Sequence, residues 1–472
     1  MHGIKGIATV MLLMLATASA LSAQESLVLL EKAIYSEETL GNLSEAISIY
    51  QQIIGKADTS RNTAALALYR LGMCYRKSGK DDEARATFSR LLQQYPEQKD
   101  LILKSQMLDL RPVPWTDGEI LRMGMRSIGA KNDMGAIVYS AESSQVAGKS
   151  AWNLRTVMVM SGMFLFQSAV VDAGNYLPIN SRYLVNFIQT DAEAVYAADH
   201  VQTSSLQKGV KTQTQVPLNG IAYDYWQILH LVRCLPLREG FQIVIPVYFS
   251  GILDNVKVSV AGKESITVPA GSFECYKTAI TMPGNAQEKT IWFSADAHVY
   301  PVKSIEGGTS ELELNSIEVA GKNQQVHFDD SGSGIVMSLP SQWYFGRSLE
   351  SGLNTLAAPE LDSVLLLYSW PIKPEYDSAT KILDKWIENH KEQNQAYQVR
   401  PETREAVTLA GFAGERFIAD SAEATTGAPS VDFTYSFVTS LKRYVLVFQT
   451  KKDNFDKMKP AFESIISTVG IK

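Results

Sequence analysis

The sequence predicts a multidomain chain. A short all-α helical repeat comes first, then a β-rich antiparallel barrel or sandwich, then an α/β (α+β) sandwich. Three observations carry this. A helix-pair pattern recurs between Gly41 and Pro96. Ten or more short alternating runs follow from Trp115, broken by Gly, Pro, Asn and Asp. Past Gly334, strand-like runs surround one amphipathic helical run and end in another.

The first 23 residues have the layout of an export leader: Lys5, an apolar run from about Ile7 to Ala16, then small residues. Ala18-Ser19-Ala20 suits cleavage after Ala20, with a cut after Ala23 as the alternative. The apolar run falls short of the roughly 20 residues that span a bilayer. No cysteine adjoins the cut, which argues against a lipid anchor. The expectation is a cleaved signal peptide and a periplasmic or secreted protein; an uncleaved membrane anchor is the rival.

In the first helical region, 24–110, Gly41, Ala46 and Tyr50 precede Gly79, Ala84 and Phe88 by 38 residues. The "DTSRN" stretch accommodates the excess length as a longer turn. Small residues let paired helices approach closely, and aromatic ones fill the space between pairs. "LYRLGMCYRKSGKDDEARATFSRLLQQYP" carries Leu68, Leu71, Gly72, Tyr75, Ala84, Phe88 and Pro96 in the register of a tetratricopeptide repeat, which it resembles. Two repeats are fewer than the usual three, so "EQKDLILKSQMLDL" is expected to add a capping helix. The resemblance implies a protein- or peptide-docking face holding Tyr69, Met73 and Arg76; a plain helical spacer is the alternative.

The middle region, 112–320, holds the alternating runs and one helix, "AYDYWQILHLVRCLPL", with Tyr225, Ile228, Leu229 and Val232 on one face. "NVKVSVAGKESITV" reads as two strands turning at Ala261-Gly262-Lys263. Pro269-Ala270-Gly271 reads as a second turn, placing Cys275 inward beside Phe273 as a structural thiol. Cys74, Cys234 and Cys275 form no C-x-x-C pair and are expected to be buried thiols, a Cys234–Cys275 bridge being the alternative. Asp224, Leu229, Arg233, Leu235, Pro236, Leu237, Pro269, Gly271, Phe273, Cys275, Trp292, Asp296, Pro301 and Lys303 resemble the marks of a bacterial domain-of-unknown-function family of exported β-rich proteins. That resemblance implies fold and export, and assigns no chemistry.

Residues 321–334 read as a solvated linker, and their His327, Asp329 and Asp330 lack calcium-loop spacing. In 335–472, Val431, Phe433, Tyr435 and Phe437 have a period of two. "DSATKILDKWIENHKEQ" reads as a helix capped near Ser378, with Ile382, Leu383, Trp386 and Ile387 on one face. A final helix holds Phe462, Ile465 and Ile466, with Pro460 placed in its first turn. The order of elements, with Leu339, Pro340, Trp343, Gly411, Phe455, Pro460, Phe462, Ile465 and Ile466, resembles a PsbP-like α/β domain. Members of that fold mostly act as assembly or accessory subunits.

Chemistry is sparse. The net charge of -6 excludes a basic nucleic-acid footprint. Gly148-Lys149-Ser150 lacks the upstream glycine of a phosphate loop, since Ser143 stands there. S-x-x-K occurs at Ser205 and Ser378 without its companion motifs. Apart from His2, no two histidines lie within 25 residues, so no sequence-local metal site and no cofactor are expected. Met158, Met160, Phe164 and Phe166 with Trp226 are candidates to line an apolar cavity. The leading expectation is therefore an exported non-enzymatic accessory or scaffold protein docking a partner through its repeat. A carrier or sensor of an apolar, lipid-like ligand in the middle domain is the alternative, and a hydrolase of unrecognised type the second. A closed apolar cavity, an open polar cleft or a filled core would separate the three.

Overall fold

The computed structural model describes residues 24–56, 60–131, 133–160, 162–218, 220–281, 284, 288–321, 324–346, 352–422 and 427–472. The leader at 1–23 lies outside the described residues, as do residues 57–59 of the expected longer turn. The chain divides into two compact units, one holding the helices up to Leu108, the other Asp109–Leu218 with Ala222–Lys472.

The first unit is built of helices α1 (24–38), α2 (Leu43–Gly55), α3 (Arg61–Lys77), α4 (Asp81–Gln94) and α5 (Lys99–Gln106). The two repeats superpose in their chemistry. Gly41 and Gly79 both take positive φ, 63° and 71°, at the turn inside each helix pair. Ala46 and Ala84 are buried at the close approach that follows. Asn42 and Ser60 cap α2 and α3 by accepting from Glu45 N and Thr63 N, each at 3.2 Å. The expected capping helix is present as α5.

Gly72 sits against Phe88, and any Cβ built on it collides with that ring. Gly72→Leu is expected to cost about 1–3 kcal/mol by overpacking, read as a lowered melting temperature of the helical unit. An unchanged melt would show that the helices separate freely.

One residue of the first unit had no signal in the sequence. Glu37, buried on α1, accepts from Tyr50 OH of α2 at 2.8 Å and from Lys77 Nζ and Arg70 Nη1 of α3 at 2.7 and 3.2 Å. Burial opposes its ionisation, yet Lys77, Tyr50 and Arg70 together hold the carboxyl below the usual range. Three helices are tied through one carboxylate.

The second unit begins with an antiparallel meander: β1 (Glu119–Ser127), β2 (Gly135–Val146), β3 (Lys149–Met160), β4 (Met163–Asp172), β5 (Pro178–Val185), β6 (Thr190–Tyr196), β7 (His200–Gln207) and β8 (Val210–Pro217). β9 (Tyr223–Asp224) and helix α6 (Ile228–Arg233) lead into β10 (Gln242–Phe249), β11 (Ile252–Val268), β12 (Gly271–Thr281), β13 (Glu288–Ser294), β14 (Pro301–Glu306) and β15 (Ser310–Val319). β15 returns to pair with β1, giving one fifteen-stranded sheet ordered β8 to β1, then β15 back to β9. Its ends, β8 and β9, do not pair with each other, so the sheet is not a closed barrel.

The turn expected at Ala261-Gly262-Lys263 is a bulge instead. β11 runs unbroken for 17 residues, and its register slips between Val260 and Gly262, leaving Ala261 as the extra residue. A glycine inside a strand pattern marks a bulge as readily as a turn.

The remaining chain forms a three-stranded sheet and a seven-stranded sheet. The first contains β16 (Gln325–Asp330), β17 (Ile335–Pro340) and β25 (Gly470–Ile471). The second is ordered β18 (Leu353–Ala358), β19 (Ser363–Pro371), β24 (Lys442–Lys451), β23 (Pro429–Val438), β22 (Phe412–Ala422), β20 (Gln398–Val399), with β21 (Glu405–Leu409) on β22. Helices α7 (Ala379–Gln393) and α8 (Phe455–Ser467) cover this second sheet's strands. Ser378 caps α7 by accepting from Lys381 N.

Two expectations are corrected here. The 321–334 stretch contains a strand, β16, whose Val326, Phe328 and Asp330 are buried. Asp330 accepts from Gly332 N, Ser333 N and Asn354 Nδ2, so the polar, glycine-rich flank is a tight turn into β17. Pro460 is the sixth residue of α8, beyond its first turn, where it removes the N–H due to Asp456.

The two faces of the fifteen-stranded sheet have different roles. One face of β1–β4, with Ile120, Val138, Val157 and Phe166, joins the core that includes Trp343, Phe433 and Phe462. The opposite face, with Leu121, Met123 and Tyr139, packs on Cys275, Trp292, Val302 and Leu314. The C-terminal region thus shares its core with the middle region.

Candidate functional site

Tyr69, Met73 and Arg76 lie on α3 and are all half-buried. Tyr69 packs with Leu101 and Ile102 of α5 around Leu68 and Leu91. Arg76 donates to Ser105 O and Met107 O at the C-terminal end of α5, both at 2.8 Å, and lies 4.8 Å over the Phe88 ring. Its guanidinium therefore caps the last carbonyls of this chain's own helix. Arg76 thus ties α3 to the end of α5.

The 38-residue repeat offset locates what the expected face lacks. Tyr35 of α1 is the equivalent of Met73 and is 55% exposed. Applying that offset to Met73 would have found it in the sequence. Tyr35, Tyr69 and Met73 occupy corresponding faces of α1 and α3, and Leu103 of α5 is 41% exposed.

In the middle region, the motif-bearing residues secure a helical plug. Asp224 accepts from Trp226 N at 2.7 Å and from Tyr196 OH at 2.5 Å, while Gln227 reciprocally accepts from Asp224 N at 3.2 Å. This is a capping box at the entry to α6. Burial raises the Asp224 carboxyl to about 6 against the pull of these donors. Arg233 at the end of α6 grips Glu119 of β1 at 2.7 and 3.2 Å and donates to Val299 O and His298 O at 3.1 and 2.9 Å. His230 is sealed edge-on against Trp115 and Tyr139, and burial with Arg233 nearby lowers it to about 3. A general base needs access to a substrate and a pKa near the working pH; His230 has neither.

All three cysteines are free and buried, so Cys234 and Cys275 do not pair. Cys275 stands on β12 after the Pro269-Ala270 turn, and burial pushes its thiol up to about 12. Cys275→Ala is expected to cost about 1 kcal/mol as a small cavity. Native protein should resist a thiol reagent at all three positions until unfolded; rapid native labelling would contradict the burial.

The five apolar-cavity candidates do not face one space. Met158 pairs with Leu165 and Val159 with Phe164, so Met158 and Met160 lie on one side of the sheet, Phe164 and Phe166 on the other. Phe166 is spent in the shared core. Trp226 stacks on Tyr183 at 4.7 Å and 6°, on the Met158 side. A hollow of 240 Å³ lies at the other end of β3 among Ser143, Gln145, Ser150 and Trp152. Its walls are polar and apolar in equal measure.

The remaining motifs resolve as structure. Ala147-Gly148, with φ 50° and 78°, is the tight turn joining β2 and β3, where a phosphate loop would open a helix. Ser205 lies on β7, and the Ser378 hydroxyl is the α7 cap. Among the described residues no cluster of three or more His, Cys, Asp or Glu could hold a metal ion.

Residues 66–97 match the family model described as Tetratricopeptide repeat, and residues 125–312 match Protein of unknown function (DUF3108). Two of the three resemblances read from the sequence, the helical repeat and the domain of unknown function, are thereby borne out. No curated protein matches the chain. Among solved structures, cyanobacterial PsbP (CyanoP) from Synechocystis sp. PCC 6803 is 15% identical over 33% of this chain and 98% of that one, with a TM-score of 0.28. LpqN, involved in cell envelope biogenesis of Mycobacterium tuberculosis, is 15% identical over 32% of this chain and 91% of that one, with a TM-score of 0.26. A putative exported protein with YmcC-like fold from Bacteroides fragilis is 13% identical over 44% and 98% of the two chains, with a TM-score of 0.20.

Proposed function

We propose that the protein is an exported, non-enzymatic accessory or scaffold protein of the bacterial envelope whose helical repeat docks a protein partner. The observation that carries this reading is the repeat itself, matched at 66–97, with Tyr35 exposed and Tyr69 and Met73 half-open on equivalent helix faces. Aromatic and methionine side chains on a preformed helical face suit peptide recognition. Support for the non-enzymatic part comes from the middle region, where Asp224, Arg233, His230 and Cys275 are buried in structural contacts. Support for export comes from Lys5, the apolar run and Ala18-Ser19-Ala20. Among the described residues no helix is long and apolar enough to cross a membrane. The division of Met158 and Phe166 onto opposite sheet faces removes the support for the apolar-carrier reading.

The test compares partner capture from envelope extract by the wild-type protein and by a Tyr35→Ala, Met73→Ala double variant with an unchanged melt. Loss of specific partners in the variant is expected; an identical captured set makes the repeat a spacer. Intact mass of protein from its native host should begin at Leu21 or Gln24, and a retained Met1 would defeat the export reading.

A further inference from the structure

β8 is one end of the fifteen-stranded sheet and, among the described residues, pairs with β7 on one side only, in a register without shifts. Residues 210–215 are all exposed. The Lys208-Gly209 turn, φ 48° and 80°, closes directly on the Gln207–Val210 pair. In a two-residue hairpin the closing pair exchanges both backbone bonds, and such pairs recur at every second residue. Val210, Thr212, Thr214 and Val216 therefore bond toward β7. The N–H and C=O groups of Lys211, Gln213 and Gln215 point away from the sheet. Natural sheets blunt such edges with short strands, prolines, bulges or charges. β8 has eight residues and no bulge, its Pro217 is the last of them, and Lys211 is its one charge.

We propose that β8 pairs antiparallel with β8 of a second copy of this chain, across a two-fold axis at Gln213, joining two sheets into one. Only residues of the same bonding direction can oppose each other across an antiparallel pair, so the axis passes through a residue. With the axis at Gln213, Gln213 meets its own copy, Thr212 meets Thr214, Val210 meets Val216 and Lys211 meets Gln215. Thr–Thr and β-branched pairs stabilise a sheet, and no like charges oppose one another. The two Lys211 side chains stand about 14 Å apart at 3.4 Å per residue, beyond the ~8 Å screening length. The three outward pairs exchange about six backbone hydrogen bonds. This self-complementarity favours a second copy over an unrelated strand.

The purified protein should double in mass by light scattering as it is concentrated from low to high micromolar. Gln213→Pro removes an outward N–H without touching the β7 ladder, so that variant should stay monomeric with an unchanged circular dichroism spectrum and melt. Since the native cysteines are buried, Gln213→Cys should form an intermolecular disulfide on oxidation, and Lys211→Cys, whose mate is distant, should not. A wild-type protein that stays monomeric throughout, or a folded Gln213→Pro protein that still dimerises, overturns the proposal. Equal cross-linking at positions 211 and 213 does so too, as does a β8 that pairs only with an added extended peptide.

Discussion

Arg233→Ala is expected to lower the unfolding free energy by about 3–5 kcal/mol, because removing one partner of a buried ion pair leaves the other uncompensated. The Arg233 side chain is 0% exposed and that of Glu119 4%. Truncation leaves the Glu119 carboxylate without its bidentate donor and removes the donors to Val299 O and His298 O. The damage is not local. Glu119 opens β1, the strand that joins the two halves of the sheet through β2 and β15. Arg233 closes α6, so the pair holds the plug to the seam. Arg233→Lys keeps the charge but not the fork and should fall between variant and wild type. A Glu119→Gln, Arg233→Met double variant should lose less than Arg233→Ala, since neither charge is left alone. Denaturant titrations would decide it; an Arg233→Ala loss below about 1 kcal/mol would put the pair within the range of an ordinary surface ion pair.

The features legible in the sequence are those whose physics is local. Gly41 and Gly79 turn the chain at a fixed offset, and the alternation through Val431 and Phe437 marks a strand whatever surrounds it. Two local signals were ambiguous. Gly262 fits either a turn or a bulge, and only the partner strand β12 decides between them. Val326 and Phe328 alternate, but the serine and glycine residues after them carry the stronger signature of a linker. The candidate site was less legible because it depends on parity and distance. Met158 and Phe166 lie close in sequence, yet the Met160–Met163 closing pair sends them to opposite faces. A Ser-Gly dipeptide between two alternating runs is a signal from which that reversal could have been inferred. The charged anchors had no such signal: Glu119 and Arg233 are 114 residues apart.

A polar side chain opposite an apolar stripe carries the last expectation. On β23, Val431, Phe433, Tyr435 and Phe437 enter the shared core, while Ser430, Asp432, Thr434 and Ser436 are buried on the other face. That face carries Phe417 and Ala419 of β22, on which Leu383 and Trp386 of α7 pack. Asp432 is 5% exposed and accepts from Gln449 Nε2 at 2.8 Å. Burial raises its carboxyl to about 6 in spite of Gln449 and Ser421. A raised folded pKa means that the native state prefers the protonated acid. The associated stability is full below the unfolded value of about 3.9 and is lost as pH rises through about 6. At neutral pH the ionised group costs about 3 kcal/mol, two pKa units at 1.36 kcal/mol each. Asp432→Asn should therefore stabilise the protein by up to that amount at pH 7 and by almost nothing at pH 4. Tyr368 and Tyr397, which feel this carboxylate, are both raised by burial and do not titrate in that window. His390 on α7 is lowered by burial and contributes the opposite slope, as does His230. The readout is accordingly the difference between variant and wild type at each pH, in which the histidine terms cancel. Slower amide exchange in α7 of the variant at pH 7 should accompany the gain. A stability difference that is the same at pH 4 and pH 7 would mean that Asp432 does not change its charge beneath the helix.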